Sequence, residues 1–362
     1  MGDPIQEQTS STRPFDGSKR LDWVDAARAV GMVLIYCGHW SPEDGRLRAF
    51  AYAFHLQFFF FASGIFYSRN AGTPLREYAI RLARRILVPF FFFGLLNIVV
   101  FSLAGDLPPD RAFQELGNLA RGCTKSLTAG QLWFLTSLFC VQLVHDLLGR
   151  LFRRPLVTLG IALAAFFAVQ AVPHIPPLYY NLHTVPQYLL FFTAGDVFHR
   201  YAMQRDWMKG WLFPAYGVSL LLAFLAFAKG VWFWGFPSPS SWLALAGWRL
   251  LMLVPLFIAT VAVAKALTWS TIILDIGRNT LILFAVEEIV KKILIQTASL
   301  VSTPLVLHTS LQVLIFSLIA ILVARRLFFR ALNEALPWAV GKPMPIPRRR
   351  ALEPLEPRAS GP

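Results

Sequence analysis

Apolar residues gather along this chain in blocks of about twenty, the length a helix needs to cross the hydrocarbon of a bilayer. These windows predict about ten membrane helices, over residues 22–41, 50–68, 83–104, 131–149, 155–172, 185–199, 211–228, 242–267, 279–298 and 304–324. The expected architecture is an all-α polytopic bundle. Charge in the loops alternates. Arg69, Arg76, Arg81, Arg84 and Arg85 follow helix two, and Arg150, Arg153 and Arg154 follow helix four. Arg200, Arg205 and Lys209 follow helix six, Lys265 and Arg278 follow helix eight, and Arg325, Arg326 and Arg330 follow helix ten. The intervening loops are balanced, acidic or uncharged; Lys291 and Lys292, toward the loop after helix nine, are the exception. By the positive-inside rule both termini are expected in the cytoplasm.

Composition agrees with this pattern. The chain has 362 residues, 56% hydrophobic and 15% charged, with a mean hydropathy of +0.53. A soluble domain carries about a quarter charged residues. The net charge of +14 would suggest nucleic acid in a soluble protein. Here it sits in alternate loops and both tails, so no nucleic-acid partner is expected. Cys37, Cys123 and Cys140 have no metal-ligand spacing. Residues 1–20 read as a polar cytoplasmic tail without the apolar core of a signal peptide, so helix one is expected to be retained. Residues 21–330 read as the membrane domain. Residues 331–362 read as a basic, Pro-rich cytoplasmic tail, expected to be disordered after 337 and drawn to anionic lipid headgroups. The long loop near 105–130 reads either as a cap on the outer mouth or as a passive connection.

The first apolar block is unusual because it carries Asp25, Arg28 and His39. Arg28 and His39 are eleven residues apart. At about 100° per residue they share one face, separated by about 16 Å along the axis. A permanent cation and a titratable imidazole on one buried stripe mark a functional path. Asp25 and Arg28, three apart, are also placed to neutralise each other. The second block contains His55 and Gln57 beside a run of phenylalanines, then Ser63-Gly64, where small residues admit a close neighbour helix. The third opens with Arg81, Arg84 and Arg85 ahead of Pro89, a cluster suited to phosphate or to anionic lipid.

Six segments occur in a fixed order: Arg28 with His39; the Phe54-His55 to Ser63-Gly64 helix; Arg81-x-x-Arg84; Leu132-Trp133-Phe134-Leu135; Phe191-Phe192-Thr193-Ala194-Gly195; and Gly277-Arg278-Asn279-Thr280-Leu281. Together they resemble the membrane acyltransferase family 3, over about residues 20–325, and within it the O-acetyltransferases of bacterial surface sugars. Relatives often carry a histidine where this chain reads Phe284-Ala-Val-Glu287-Glu288. Two adjacent carboxylates point about 100° apart, so at most one of them easily faces a given pathway.

The resemblance implies an enzyme of the bacterial inner membrane that moves an acetyl or other acyl group from cytoplasmic acyl-CoA to a glycan or lipid-linked sugar hydroxyl. Acyl-CoA is then a donor substrate, with no permanently bound cofactor and no metal. Arg28, Arg81, Arg84 and Arg85 would hold the donor, with Asp25 in support, and Arg28 would also belong with His39 to the catalytic pair. His39 would act as general base or as an acyl-carrying nucleophile. His55, Trp133, His183 and Glu287 are candidates for the acceptor side. Two other classes fit the same intramembrane charges. One is a transporter or flippase with Arg28, His39 and Glu287 along a polar route; the other is a non-catalytic membrane assembly factor.

Overall fold

The structure, a computed structural model, describes residues 21–41, 45–67, 73–123, 127–172, 175–203, 208–229, 242–301 and 307–342. The expected tail over 1–20, the end of the chain from 343, and the polar residues Glu43, Asp44, Arg69, His174 and Arg205 lie outside the described residues. Within them the protein is all helical, and each of the expected spans has its helix. In chain order these are α1 (Asp22–Trp40), α2 (Arg46–Ile65), α3 (Leu75–Leu103), α4 (Pro109–Ala120), α5 (Trp133–Phe152), α6 (Pro155–Gln170), α7 (Val185–Tyr201), α8 (Met208–Lys229), α9 (Trp242–Ala266), α10 (Thr271–Arg278), α11 (Thr280–Val301) and α12 (Ser310–Ala324).

Among the described residues four stretches are long and apolar enough to cross a membrane by length and composition: Leu75–Leu103, Gly130–Phe152, Leu243–Ala266 and Ser310–Ala335. Helix α7 is too short for that set, with 17 residues, and α1, α2 and α11 fall outside it because of their polar groups. Asp25, His55, Asp196 and Glu287, one on each, are all buried. The apolar side chains of α12 such as Leu311 and Leu322 face outward, as do Leu221 and Phe224 of α8, which suits a lipid surround.

Helix α1 is the hub. It packs against α2, α9, α10, α11 and α12, and Val24, Ala26, Ala27, Tyr36 and Cys37 are fully buried. Acidic residues in its first turn and His39 in its last complement the helix dipole. The Tyr36 hydroxyl donates to the Leu283 carbonyl of α11 at 2.8 Å, pinning the two helices together. Glycines set the closest crossings. A Cβ on Gly64 of α2 would collide with the Phe192 carbonyl of α7, and one on Gly195 of α7 would collide with the Phe61 carbonyl of α2. The two backbones therefore touch, as the Ser63-Gly64 pair leads one to expect. Gly277 of α10 meets the Asp25 carbonyl of α1 in the same way.

Two short helices are additions to the expected set. Helix α4 lies in the 105–130 connection and packs on α3, where Leu119 fits against Gly94. Its Glu115 accepts from the Thr128 amide (3.0 Å) and hydroxyl (2.7 Å), folding the connection back on itself. The Tyr180 amide donates to the Arg121 carbonyl, joining this connection to the 175–184 turn. Helix α10 is the eight-residue piece before α11, capped by Ser270. Lys291 and Lys292 lie within α11; Lys292 pairs with Asp106, and Lys291 sits over the Trp40 ring.

The end of the bundle corrects one expectation. Disorder from 337 does not hold for residues 337–342. The helix continues past Ala324 in π-helical turns over Arg325–Phe329 and Ala331–Ala335, then a 3₁₀ turn over Pro337–Val340. This segment folds back against α3, with Trp338 edge-on to Phe92 at 5.3 Å. The reason is packing: Ala339 and Val340 are buried.

Candidate active site

A cleft of about 730 Å³ opens between α1, α2, α3, α5, the α10–α11 junction and the segment around Val340. Along α1 its wall is Arg28, Met32 and Ile35. That spacing of four and three residues is one helical stripe, and His39 is its next member. The wall changes character along its length. Arg28, Arg81, Arg85, Arg150 and Arg278 line it together with two carboxylates, Asp25 and Asp146. Met32, Ile35, Phe59, Phe134 and Phe284 form an apolar part.

The guanidinium end is held by ion pairs that consume both carboxylates. Asp25 accepts from Arg278 Nε at 3.1 Å, and Asp22 accepts from the other arm of the same guanidinium at 3.1 Å. Asp25 therefore serves Arg278. The Gly277–Asp25 backbone contact brings Arg278 onto the first turn of α1, so the direct ion pair of Asp25 is with Arg278, while Arg28 feels the same carboxylate through space. Asp146 accepts from Arg150 Nε at 2.5 Å and from the Tyr67 hydroxyl at 2.6 Å. Arg85 donates to Gln142 at 2.9 Å, and Arg81 pairs with Glu77 at 3.3 Å where both are exposed. Arg28 is different. Its guanidinium lies over the Phe66 ring, 4.9 Å from the centroid. Among the described residues no carboxylate lies within ion-pair distance of it. The five guanidiniums of the wall meet four carboxylates, Asp22, Asp25, Asp146 and Glu77, which leaves Arg28 and Arg85 without an acidic ion-pair partner among the described residues and the mouth net positive, as suits a ligand carrying phosphates.

The imidazole end is built differently. His39 Nδ1 is 2.7 Å from Glu287 Oε1. Glu287 is fully buried, and among the described residues its second oxygen has no hydrogen-bond partner. When Nδ1–H donates to the carboxylate, Nε2 keeps its lone pair and can take a proton. The cleft wall stops at Ile35 and Phe284, one turn short of His39, which is not among the lining residues. The side chain of His39 is 22% exposed.

The other candidates divide. Arg81 and Arg85 line the cleft, whereas Arg84 is exposed and outside the lining. On one helix Arg81 and Arg85 are nearly superposed, and Arg84 is turned about 100° from Arg85, so the three do not act as one side. His55 is buried with Nδ1 on the Ala51 carbonyl at 2.5 Å, outside the cleft lining; its ring meets Tyr52 edge-on at 5.3 Å, and Tyr52 lies 6.1 Å from His39. Trp133 packs on Tyr188 at 5.7 Å, outside the cleft. His183 accepts from the Leu178 amide at 3.1 Å and closes its own turn. Glu287 is outside the cleft lining and lies against His39.

Several wall residues were not singled out from sequence. Arg150 reads as loop charge and Arg278 as part of a motif, and nothing in their spacing ties either to Arg28. Tyr67, Tyr78 and Gln142 carry no pattern at all. Asp146 four residues before Arg150 is the one legible hint, an i,i+4 pair within α5.

Compared with known families, the chain matches the acyltransferase domain of acyltransferase family 3 over residues 21–325. The protein belongs to that family. Compared with curated proteins and with solved structures, it finds no match.

Proposed function

We propose that the protein is an integral-membrane O-acyltransferase that moves an acetyl or other acyl group from acyl-CoA to a hydroxyl of an extracytoplasmic or lipid-linked glycan. In this reading about ten helices cross a bacterial inner membrane, both termini face the cytoplasm, and the guanidinium end faces the cytoplasm with them. The observation that carries it is the single stripe on α1, from an unpaired guanidinium in a cationic cleft to a carboxylate-held imidazole.

The donor's phosphates dock among Arg28, Arg85 and their neighbours. Its acyl arm runs along the apolar wall past Met32 and Ile35 toward His39. Nε2 of His39 takes the proton from the acceptor hydroxyl as that oxygen attacks the thioester carbonyl carbon. The C–S bond then breaks, and the CoA thiolate leaves with the proton from the imidazolium. Glu287 holds the imidazole in the tautomer that leaves Nε2 free and balances the positive charge while it lasts. This makes His39 the base, with Glu287 as the residue that positions it.

The test is transfer of radiolabelled acetyl from acetyl-CoA into envelope polysaccharide by membranes carrying the protein. The expected result is labelled glycan with the parent chain and none above background with His39→Ala, while both bind acetyl-CoA equally. Undiminished labelling by His39→Ala would remove the base assignment. Absence of labelling with the parent on every envelope glycan offered would remove the acceptor class.

A further inference from the structure

The matched family domain ends at residue 325. The cleft does not. Val340 and Gly341, beyond that end, are part of its wall beside Arg81, Arg85 and Arg278. The stretch that carries them is tied down at both sides of the cationic mouth.

On one side it meets α3. Gly341 adopts a left-handed backbone, φ +70°, and a Cβ built on it would lie 2.5 Å from the Arg85 carbonyl oxygen. Only a residue without a side chain sits comfortably in that position. Trp338 against Phe92 anchors the same stretch a turn or two further along α3. On the other side it meets the α10–α11 junction. Asn333 donates from Nδ2 to Asn279 Oδ1 at 2.8 Å, and Lys342 donates to Asn333 Oδ1 at 2.5 Å. Asn279 follows Arg278 directly and is itself held by Asp275, which also accepts from Arg325 at 2.7 Å. One short strap therefore spans from the backbone of Arg85 to the residue next to Arg278.

We propose that residues 326–342 form a strap, outside the family domain, that positions Arg85 and Arg278 across the cleft and so sets how tightly the phosphates of the acyl-CoA donor are held. The inference rests on the donor reading given above. Arg85 donates to Gln142 of α5 at 2.9 Å across the cleft, a contact that a shift of its helix turn would lengthen. A side chain at position 341 must displace either the strap or that turn. Asn333 is the strap's hold on the opposite wall. These are positioning residues, and none of them is assigned contact with the reacting atoms.

The experiment uses the full chain in lipid nanodiscs and equilibrium binding of radiolabelled acetyl-CoA across a range of salt. The variants are Gly341→Val, Asn333→Ala and, as reference, Arg28→Ala. Gly341→Val is expected to weaken binding roughly ten-fold, the scale of one lost charge-assisted contact. Its binding should also depend less on ionic strength, because fewer guanidiniums meet the phosphates. Asn333→Ala should move both readouts in the same direction by less. A purely structural role would lower the thermal midpoint without touching the salt dependence. Parent-like binding and salt dependence in both strap variants, with Arg28→Ala impaired, overturns the strap. Parent-like binding in Arg28→Ala as well overturns the donor reading, and the strap falls with it. If Gly341→Val does not fold, Asn333→Ala, which removes only a carboxamide, decides alone.

Discussion

The two ends of α1 solve opposite problems. At the Arg28 end the cleft gathers five guanidiniums and exposes several of them, with carboxylates placed so that Arg28 itself stays unpaired. At the other end the His39 imidazole meets a fully buried carboxylate 2.7 Å away. The first arrangement suits catching a multiply charged ligand from water, where many weak contacts add up. The second suits fixing one proton acceptor, where one short contact decides the tautomer. Three turns of helix keep the two tasks apart, so a change at one end should leave the other's observable alone.

The largest separation is expected from Glu287→Gln. It should cut turnover by roughly 10²–10⁴, the range for losing a tautomer-fixing carboxylate, while acetyl-CoA binding stays at the parent value. A loss of donor binding in that variant would merge the two ends. Next is Arg28→Ala, expected to raise the KM for acetyl-CoA by about ten- to a hundred-fold, as for one or two charge-assisted contacts. The maximal rate at saturating donor should change far less; a fall in kcat with an unchanged KM would place Arg28 in the chemistry. Gly195→Leu belongs to neither end. It should lower the thermal midpoint by several degrees or block folding, about what an overpacked crossing costs, and a parent-like melting curve would contradict the backbone contact. The smallest effect is expected from Arg84→Ala, which lies outside the cleft. Donor KM should stay within about two-fold, as for a surface change, and a rise like that of Arg28→Ala would return it to the site.

The long helices were legible because twenty-residue apolar blocks leave little else to be. The face shared by Arg28 and His39 was legible too, since helical arithmetic needs no tertiary information. Helix α4 was hidden because it is twelve residues of mixed character inside a connection, and α10 because eight residues barely register in a window tuned to membrane spans. The partners could not be read. Asp25 finds Arg278 across 253 positions, through a glycine whose meaning is a close approach of two backbones. Of two adjacent glutamates the pattern could say that at most one easily faces a pathway; only packing against α1 selects Glu287. The stretch after 337 looked like a tail because its prolines and arginines dominate the composition. The few apolar residues that dock it, Trp338, Ala339 and Val340, are too short a run to stand out.

The reciprocal glycines of α2 and α7 carry a consequence for how this enzyme breathes. With Gly64 under one carbonyl and Gly195 under the other, no side chain of either glycine separates the two backbones at this crossing, so the pair is expected to move together. Leu56, Phe59 and Ser63 of α2 face the cleft from the front of that block. With that flank closed up backbone to backbone, room for a wider ligand is expected from across the channel, where α3 and the chain's own closing turn lie.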